Sequence, residues 1–260
     1  METRMDRQRQ REHLATVKRT VPLVPGLRWL NKGVRAVAVR THQAQFVAEW
    51  GAENPEYFDH FLDQYYVWPT QRNPLAWERG VFSSLALEHE AVVLDLCCGD
   101  GFNAHHFYSI RSASVTAIDF DAEAIRWARR NFKAPNVEYR EGDIRTDIPS
   151  GPFTNVVWDA AIEHFTEVEI VAIMSRIKAV LEPLGTLSGY TIIEREDGKK
   201  SLHQHEYEFH SREDLARFLT PYFKNVQVFS TTYPNRTNLY FYATDGALPF
   251  DRDWSLTVRQ

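Results

Sequence analysis

The sequence predicts an α/β fold: a doubly wound, mainly parallel seven-stranded sheet with an antiparallel edge hairpin, plus an N-terminal helical cap. Three observations predict it. From Ala91 onward, short apolar β-rich runs alternate with helical patterns, the rhythm of a parallel sheet wrapped by helices. The first run, Val92 to Leu96, is almost wholly apolar, as a strand covered on both faces must be, and it enters a Gly99-Asp100-Gly101 turn that opens a helix. The last two runs are joined by Thr231 to Arg236, whose Tyr-Pro-Asn suits a hairpin turn.

Residues 1–40 form a basic segment with ten Lys or Arg against three acids, whereas residues 41–260 hold twenty against thirty-two, beneath a formal net charge of −5. Within it, Leu27, Leu30, Val34 and Val37 share one face of a helix, with Arg28, Lys32 and Arg35 elsewhere around it. Such a helix either docks on the domain with its basic face in water or meets an anionic lipid surface or a phosphorylated partner. Residues 41–90 are the aromatic-rich helical cap, where Phe46, Trp50, Tyr57, Phe58, Phe61, Tyr65, Tyr66, Trp68 and Trp77 supply either core packing or the wall of a substrate pocket. The run Tyr65 to Pro69 breaks the helical pattern, which makes Tyr66 part of a candidate loop closing over a ligand.

Residues 91–245 carry the sheet. Strands are expected near 91–96, 114–119, 136–140, 154–158, 184–193, 224–230 and 237–244, and helices near 102–110, 121–132, 166–181 and 211–220. The second of these helices is acidic in its first turn and basic in its last, as the helix dipole favours. Residues 246–260 are left as a tail.

An apolar share of 43% with 25% charged residues is that of an ordinary globular chain, and 260 residues can bury one substantial core. The two cysteines, Cys97 and Cys98, are adjacent, a geometry that disfavours a mutual disulfide and suggests a reducing compartment. No run approaches the roughly 20 apolar residues of a membrane span, and Met1 to Arg11 is charged rather than signal-like. The expected location is cytoplasmic.

The acids decide the ligand. Asp95, Asp100, Asp119, Asp121 and Asp143 all fall on or beside expected strand ends, and no Lys or Arg lies between Asp95 and Ile110. That field repels a pyrophosphate and holds a ligand with an ammonium, a sulfonium and two ribose hydroxyls, which is the chemistry of S-adenosylmethionine. A rival reading exists, since Gly99 to Ala104 also fits G-x-G-x-x-A, with Asp119 at the spacing used by NAD-dependent oxidoreductases. Against it, Asp100 sits within the would-be phosphate cradle, and the chain ends too soon for a second mononucleotide half plus a catalytic domain.

Val93-Leu94-Asp95-Leu96-Cys97-Cys98-Gly99-Asp100-Gly101 resembles the first motif of class I S-adenosylmethionine-dependent methyltransferases. The resemblance continues in order through Ala117 to Asp121, Glu141 to Ile144, Asn155 to His164 and Glu182 to Leu187. It covers residues 91 to about 245 and lends no support to the region before 90. It implies that Gly99 and Gly101 line the methionine carboxylate and ribose, that Asp95 anchors the ammonium, and that Asp119 chelates the ribose hydroxyls. It further implies that Asp143 accepts from the adenine amino group while Phe120 and Ile144 sandwich the ring. Cys97 stands where the family usually has a first glycine, a place tolerable for a side chain if the backbone there needs no positive φ. Asp159, ending the fourth strand, and Tyr66 complete the expected cofactor-binding set.

Methyl transfer is an in-line displacement at carbon, so the site must align an acceptor lone pair and exclude water; a hydroxyl acceptor also profits from a general base. Candidates concentrate in Glu163-His164, after the fourth strand, and in His203 to His210, between the fifth strand and the next helix. His164 is the first choice for contact with the reacting centre, followed by His205 and Glu206. Three histidines and two glutamates in that second run also suit zinc or iron, yet the same alternation suits an exposed strand or a lid, and no metal is expected. Nucleic acid is disfavoured as acceptor by the acidic sheet domain and by Trp158-Asp159-Ala160-Ala161, where an Asn-Pro-Pro-Tyr type element would stand. The expected acceptor is a small molecule, through an oxygen of a sugar, lipid or natural-product-like metabolite. The alternative is a non-catalytic scaffold that keeps the fold; the oligomeric state stays open.

Overall fold

The computed structural model describes residues 26–50, 68, 72–194, 200, 204–234 and 236–249. Tyr66, most of the expected aromatic cap and the end of the expected tail lie outside these residues. Residues up to Gly51 form one unit and those from Ala52 onward another. The first unit contributes α1 (Leu27–Trp50), a helix that crosses residue 40 without a break, so the expected junction between basic segment and cap falls inside one element. Trp29, Leu30, Val34 and Val37 on it are exposed, and the Lys32 ammonium sits 5.0 Å from the centroid of the Trp29 ring.

The second unit is a sheet of seven strands: β1 (Ala91–Leu96), β2 (Ser112–Asp119), β3 (Val137–Glu141), β4 (Phe153–Asp159), β5 (Leu181–Ile192), β6 (Asn225–Tyr233) and β7 (Arg236–Thr244). Their order is β3-β2-β1-β4-β5-β7-β6, parallel from β3 to β5, with β7 antiparallel to both β5 and β6. The order reverses between β1 and β4, and ligands of open α/β sheets gather beyond the carboxyl ends of the strands at such a switch point. This is the doubly wound sheet with an antiparallel edge that the alternating pattern predicted.

Successive β1 side chains serve opposite faces, which is why the run has no polar alternation. Leu94 and Leu96 join Ile118, Val156, Trp158, Ile173, Ile177 and Phe218 in one apolar core, while Val93 joins Tyr108, Val115, Ile125, Ala128 and Tyr139 in the other. Helices α5 (Glu167–Val180) and α6 (Arg212–Leu219) cover the first face; α3 (Phe102–His106) and α4 (Ala122–Asn131) cover the second. Three of these helices start on side-chain caps: Asp121 accepts from Glu123 and Ala124 for α4, Thr166 forms a capping box with Glu169 for α5, and Ser211 accepts from Asp214 for α6. Helix α2 (Leu75–Ala86) packs on β4 and β5, and the Phe82 ring meets Phe229 and Tyr240. Trp77, the one aromatic of the expected cap set on this helix, is exposed at 42%.

Most element ends shift by one to three residues from expectation, with β2 starting at Ser112 and β6 running on to Tyr233, into the expected hairpin turn; two of the departures have a visible cause. The helix expected over 102–110 stops at Phe107, whose φ of −121° leaves the helical region, and resumes as a single 3-10 turn over Tyr108–Ile110. Strand β5 starts at Leu181 rather than 184, because Leu181 pairs with Phe153 before an irregularity in the ladder at Glu182 to Gly185.

Candidate functional site

The carboxyl ends of β1, β2 and β4 bring three acids into one buried group: Asp95, Asp119 and Asp159. Burial pushes the Asp95 carboxyl well above its ordinary range, and the neighbouring charges of Asp159 and Asp119 push it further, against a smaller opposing effect from Arg79. Its Oδ2 is buried without a hydrogen-bond partner. A buried carboxylate oxygen crowded by like charges is relieved by a proton or by a cation.

The chain leaves β1 through three left-handed residues. Cys97 has φ of +57°, Gly99 +53° and Gly101 +80°. The backbone at Cys97 therefore does need a positive φ, and a side chain stands there at a cost of order 1 kcal/mol that the surrounding fold overcomes. The turn is held by Cys98 N–H donating to the Ile118 carbonyl at 3.0 Å and Gly99 N–H donating to Asp119 Oδ2 at 2.9 Å. Gly101 is fixed by packing as well, since a Cβ there would lie 2.5 Å from Cε1 of Tyr139 and 2.9 Å from Cβ of Ala128.

Asp119 accepts a second amide, Asp121 N–H, at 2.8 Å on Oδ1. Burial nevertheless raises its carboxyl above the ordinary value, with those amide bonds opposing the rise. The Phe120 amide opposes the rise as well, and the acceptor capacity left on the two oxygens is what a ligand hydroxyl can use. The next residue, Phe120, is 72% exposed, an unusual state for a large ring beside a buried acid. Ile144, after β3, is buried. Asp143 is held by Arg145, whose Nε and Nη2 donate at 2.9 and 2.7 Å to Oδ2, and that guanidinium lowers the Asp143 carboxyl.

Asp159 is engaged within the protein. Ser83 Oγ donates to its two oxygens at 2.8 and 2.9 Å, and Tyr108 donates to Oδ2 at 2.5 Å. Burial lifts its carboxyl to about 6 despite both hydroxyls. This buried acid clasps α2 and the 3-10 turn after α3 to the end of β4, a linkage between distant segments.

The turn after β4 carries Glu163 and His164, and the loop before α6 returns to them. Glu206 and Tyr207 donate their amides to the Glu163 carbonyl at 2.9 and 3.1 Å, which sets His205 beside His164 with ring centroids 5.0 Å apart. The segment is thus a pinned inward loop rather than an exposed strand: His205 is 1% exposed. Glu206 is exposed, and the carboxylate that meets the two imidazoles is that of Glu163. Sequence reasoning passed over Ser83, Tyr108 and Thr191 entirely, and took Glu208 only as one of the two glutamates of the His203 to His210 run; their roles depend on contacts between segments far apart in the chain or on the fold of one loop.

The donor set fits an adenosyl sulfonium amino acid: an unpartnered buried carboxylate oxygen for an ammonium, a turn open to close approach, an acid with spare lone pairs for ribose, and an exposed ring for a base. Comparison with known proteins agrees with the fold and the domain. Residues 93–185 match the family described as methyltransferase domain. An uncharacterised methyltransferase of Mycobacterium tuberculosis H37Rv is 34% identical over 102 residues, 39% of this chain and 50% of the relative. The chain spans about half the length of the curated relatives it matches. Among solved structures, the PH0226 protein of Pyrococcus horikoshii OT3 superposes with a TM-score of 0.51 at 19% identity, covering 74% of this chain and 96% of that one. The S-adenosylmethionine-dependent methyltransferase SibL gives 0.50 at 18% identity, covering 65% and 56%.

Proposed function

We propose that this chain, whose residues 93–185 match the family described as methyltransferase domain, is a class I S-adenosylmethionine-dependent methyltransferase that methylates a small-molecule acceptor, through an oxygen of a sugar, lipid or similar metabolite. The observation that carries the cofactor reading is the buried, unpartnered Asp95 oxygen crowded by Asp119 and Asp159. A cationic ligand relieves that crowding and a diphosphate aggravates it. When bound, S-adenosylmethionine supplies an electrophilic methyl group on a positively charged sulfur.

The chain's own residues bind and orient. Asp95 takes the ammonium, the Cys97 to Gly101 turn passes along the methionine and ribose parts, and Asp119 takes the ribose hydroxyls. Phe120 and Ile144 cover the adenine, whose amino group Asp143 accepts while sharing its oxygens with Arg145. Tyr66, expected from the sequence to help close over the ligand, lies outside the described residues. Asp159 shapes the floor from behind, through Ser83 and Tyr108. His164, half-buried on the turn after β4, is the side chain placed at the reacting centre, with His205 behind it and Glu206 at the exposed rim.

No helix among the described residues is long and apolar enough to cross a membrane. The free thiols of Cys97 and Cys98 support a reducing compartment, the cytoplasm. The exposed apolar stripe of α1, flanked by Lys32, Arg35 and Arg40, supports contact with an anionic surface. The test of the activity is release of S-adenosylhomocysteine from S-adenosylmethionine in the presence of hydroxylated acceptors. Turnover that appears with a small molecule supports the reading; tight cofactor binding with no turnover on any acceptor class favours the scaffold alternative.

A further inference from the structure

Glu163, His164 and His205 offer one ligand atom each, all within 4.8 Å of one another, the one such group of metal-ligating residue types among the described residues. Each of these three side chains is braced by a further polar group. His205 Nδ1 faces the Glu208 carboxylate at 2.6 Å, a pair buried from solvent, and His164 Nδ1 faces the Gln204 carbonyl at 3.4 Å. With Nδ1 of each ring facing an acceptor, the arrangement is one in which Nε2 of each imidazole is the nitrogen left for a metal ion. Thr191 Oγ1 donates to Glu163 Oε2 at 3.0 Å and orients the carboxylate. The amides of Glu206 and Tyr207 on the Glu163 carbonyl hold the His205 loop against the Glu163 turn, so the three ligands belong to one braced unit.

We propose that Glu163, His164 and His205 bind a divalent transition-metal ion of the Zn²⁺ or Fe²⁺ class through two imidazole Nε2 atoms and one carboxylate oxygen. Two histidines and one carboxylate are a hard-to-borderline nitrogen and oxygen set suited to those ions and leave coordination positions open. The ligand atoms of a filled site stand roughly 3 Å apart, since each lies about 2 Å from the ion. The present spacing, up to 4.8 Å, closes to that distance only if the half-buried His164 ring turns inward. Ligation by His164 deepens the proposed function, on which its use in catalysis rests, because the ion then sits at the side chain assigned to the reacting centre and can polarise an acceptor oxygen. The binding site itself stands on the geometry alone.

The test uses the full chain, stripped with chelator, dialysed and titrated with Co²⁺, followed by visible absorption and by competition with Zn²⁺. The expected result is one equivalent of Co²⁺ with ligand-field bands, weakened at least about 100-fold in His164→Asn and in Glu163→Gln. Glu208→Gln, which touches no metal, is expected to weaken binding about 10- to 100-fold as a positioning residue, with Glu208→Asp restoring part of it. Circular dichroism checks each variant, and half-buried His164 keeps the test available if the Glu163 variant does not fold. Absence of saturable Co²⁺ binding in the folded parent overturns the proposal, as does binding unchanged in His164→Asn. Calorimetry with S-adenosylmethionine on the same stripped sample separates the two readings: cofactor binding without Co²⁺ binding sinks the metal site alone, and the reverse sinks the methyltransferase reading alone.

Discussion

Replacing Gly101 by Ala tests how the ligand turn is built. Gly101 has φ of +80°, so an L side chain there costs about 1–2 kcal/mol from backbone sterics alone. The new Cβ also lands 2.5 Å from Tyr139 Cε1 and 2.9 Å from Ala128 Cβ. Tyr139 cannot easily swing aside, because its hydroxyl donates to the Phe132 carbonyl at 2.8 Å and its ring is buried between α4 and the sheet. Overpacking of this kind adds about 1–3 kcal/mol, giving a total of about 2–5 kcal/mol. At about 2–4 °C per kcal/mol for a domain of this size, the melting temperature falls by about 4–20 °C. Gly33→Ala is the control: it lies within α1, a Cβ there meets nothing within 4 Å, and it is expected to leave the melting temperature level or slightly raised. Differential scanning calorimetry of the two variants decides the matter. A Gly101→Ala protein melting within 2 °C of the parent would refute the argument, since both the turn conformation and the packing would then be wrong.

Asp119→Ala removes two charge-assisted ribose contacts worth about 1.5–3 kcal/mol each, so S-adenosylmethionine affinity should fall about 100-fold or more by calorimetry, with an unchanged Kd as the contrary result. Asp159, lifted to about 6 in the folded chain from the ordinary 3.8, binds its proton more tightly folded than unfolded. Its contribution is therefore fully present below pH 4 and lost as the pH rises through 6, by about 3 kcal/mol; urea titrations of the parent against Asp159→Asn should show their difference shifting by that amount between pH 4 and 7, and a flat difference counts against it. For α1, the parent should sediment with anionic vesicles and a Lys32→Glu, Arg35→Glu variant should not; equal sedimentation of the two removes the electrostatic contact.

The sheet was legible because its signals are local. Val92 to Leu96 announces a strand buried on both faces, and Asp121 and Ser211 announce helix starts by residue type alone. The boundaries that moved were set by contacts no local pattern carries: Leu181 is a strand residue because it pairs with Phe153, although Pro183 and Gly185 read as a turn. The acids at the strand ends could be found from order and spacing, but the clasp of Ser83 and Tyr108 on Asp159 could not, since it joins segments 76 and 51 residues away. Likewise, the alternation in His203 to Glu208 does not say whether it faces water. The amide bonds to the Glu163 carbonyl turn it inward and bring His205 to Glu163 and His164.

Isothermal calorimetry of the purified chain with S-adenosylmethionine, S-adenosylhomocysteine and NAD⁺ tests the acidic crevice most directly. One equivalent of S-adenosylmethionine should bind, S-adenosylhomocysteine should compete for the same site, and NAD⁺ should give no heat. Heat from NAD⁺ with none from S-adenosylmethionine would contradict the assignment of Asp95 and Asp119 to a cationic nucleoside.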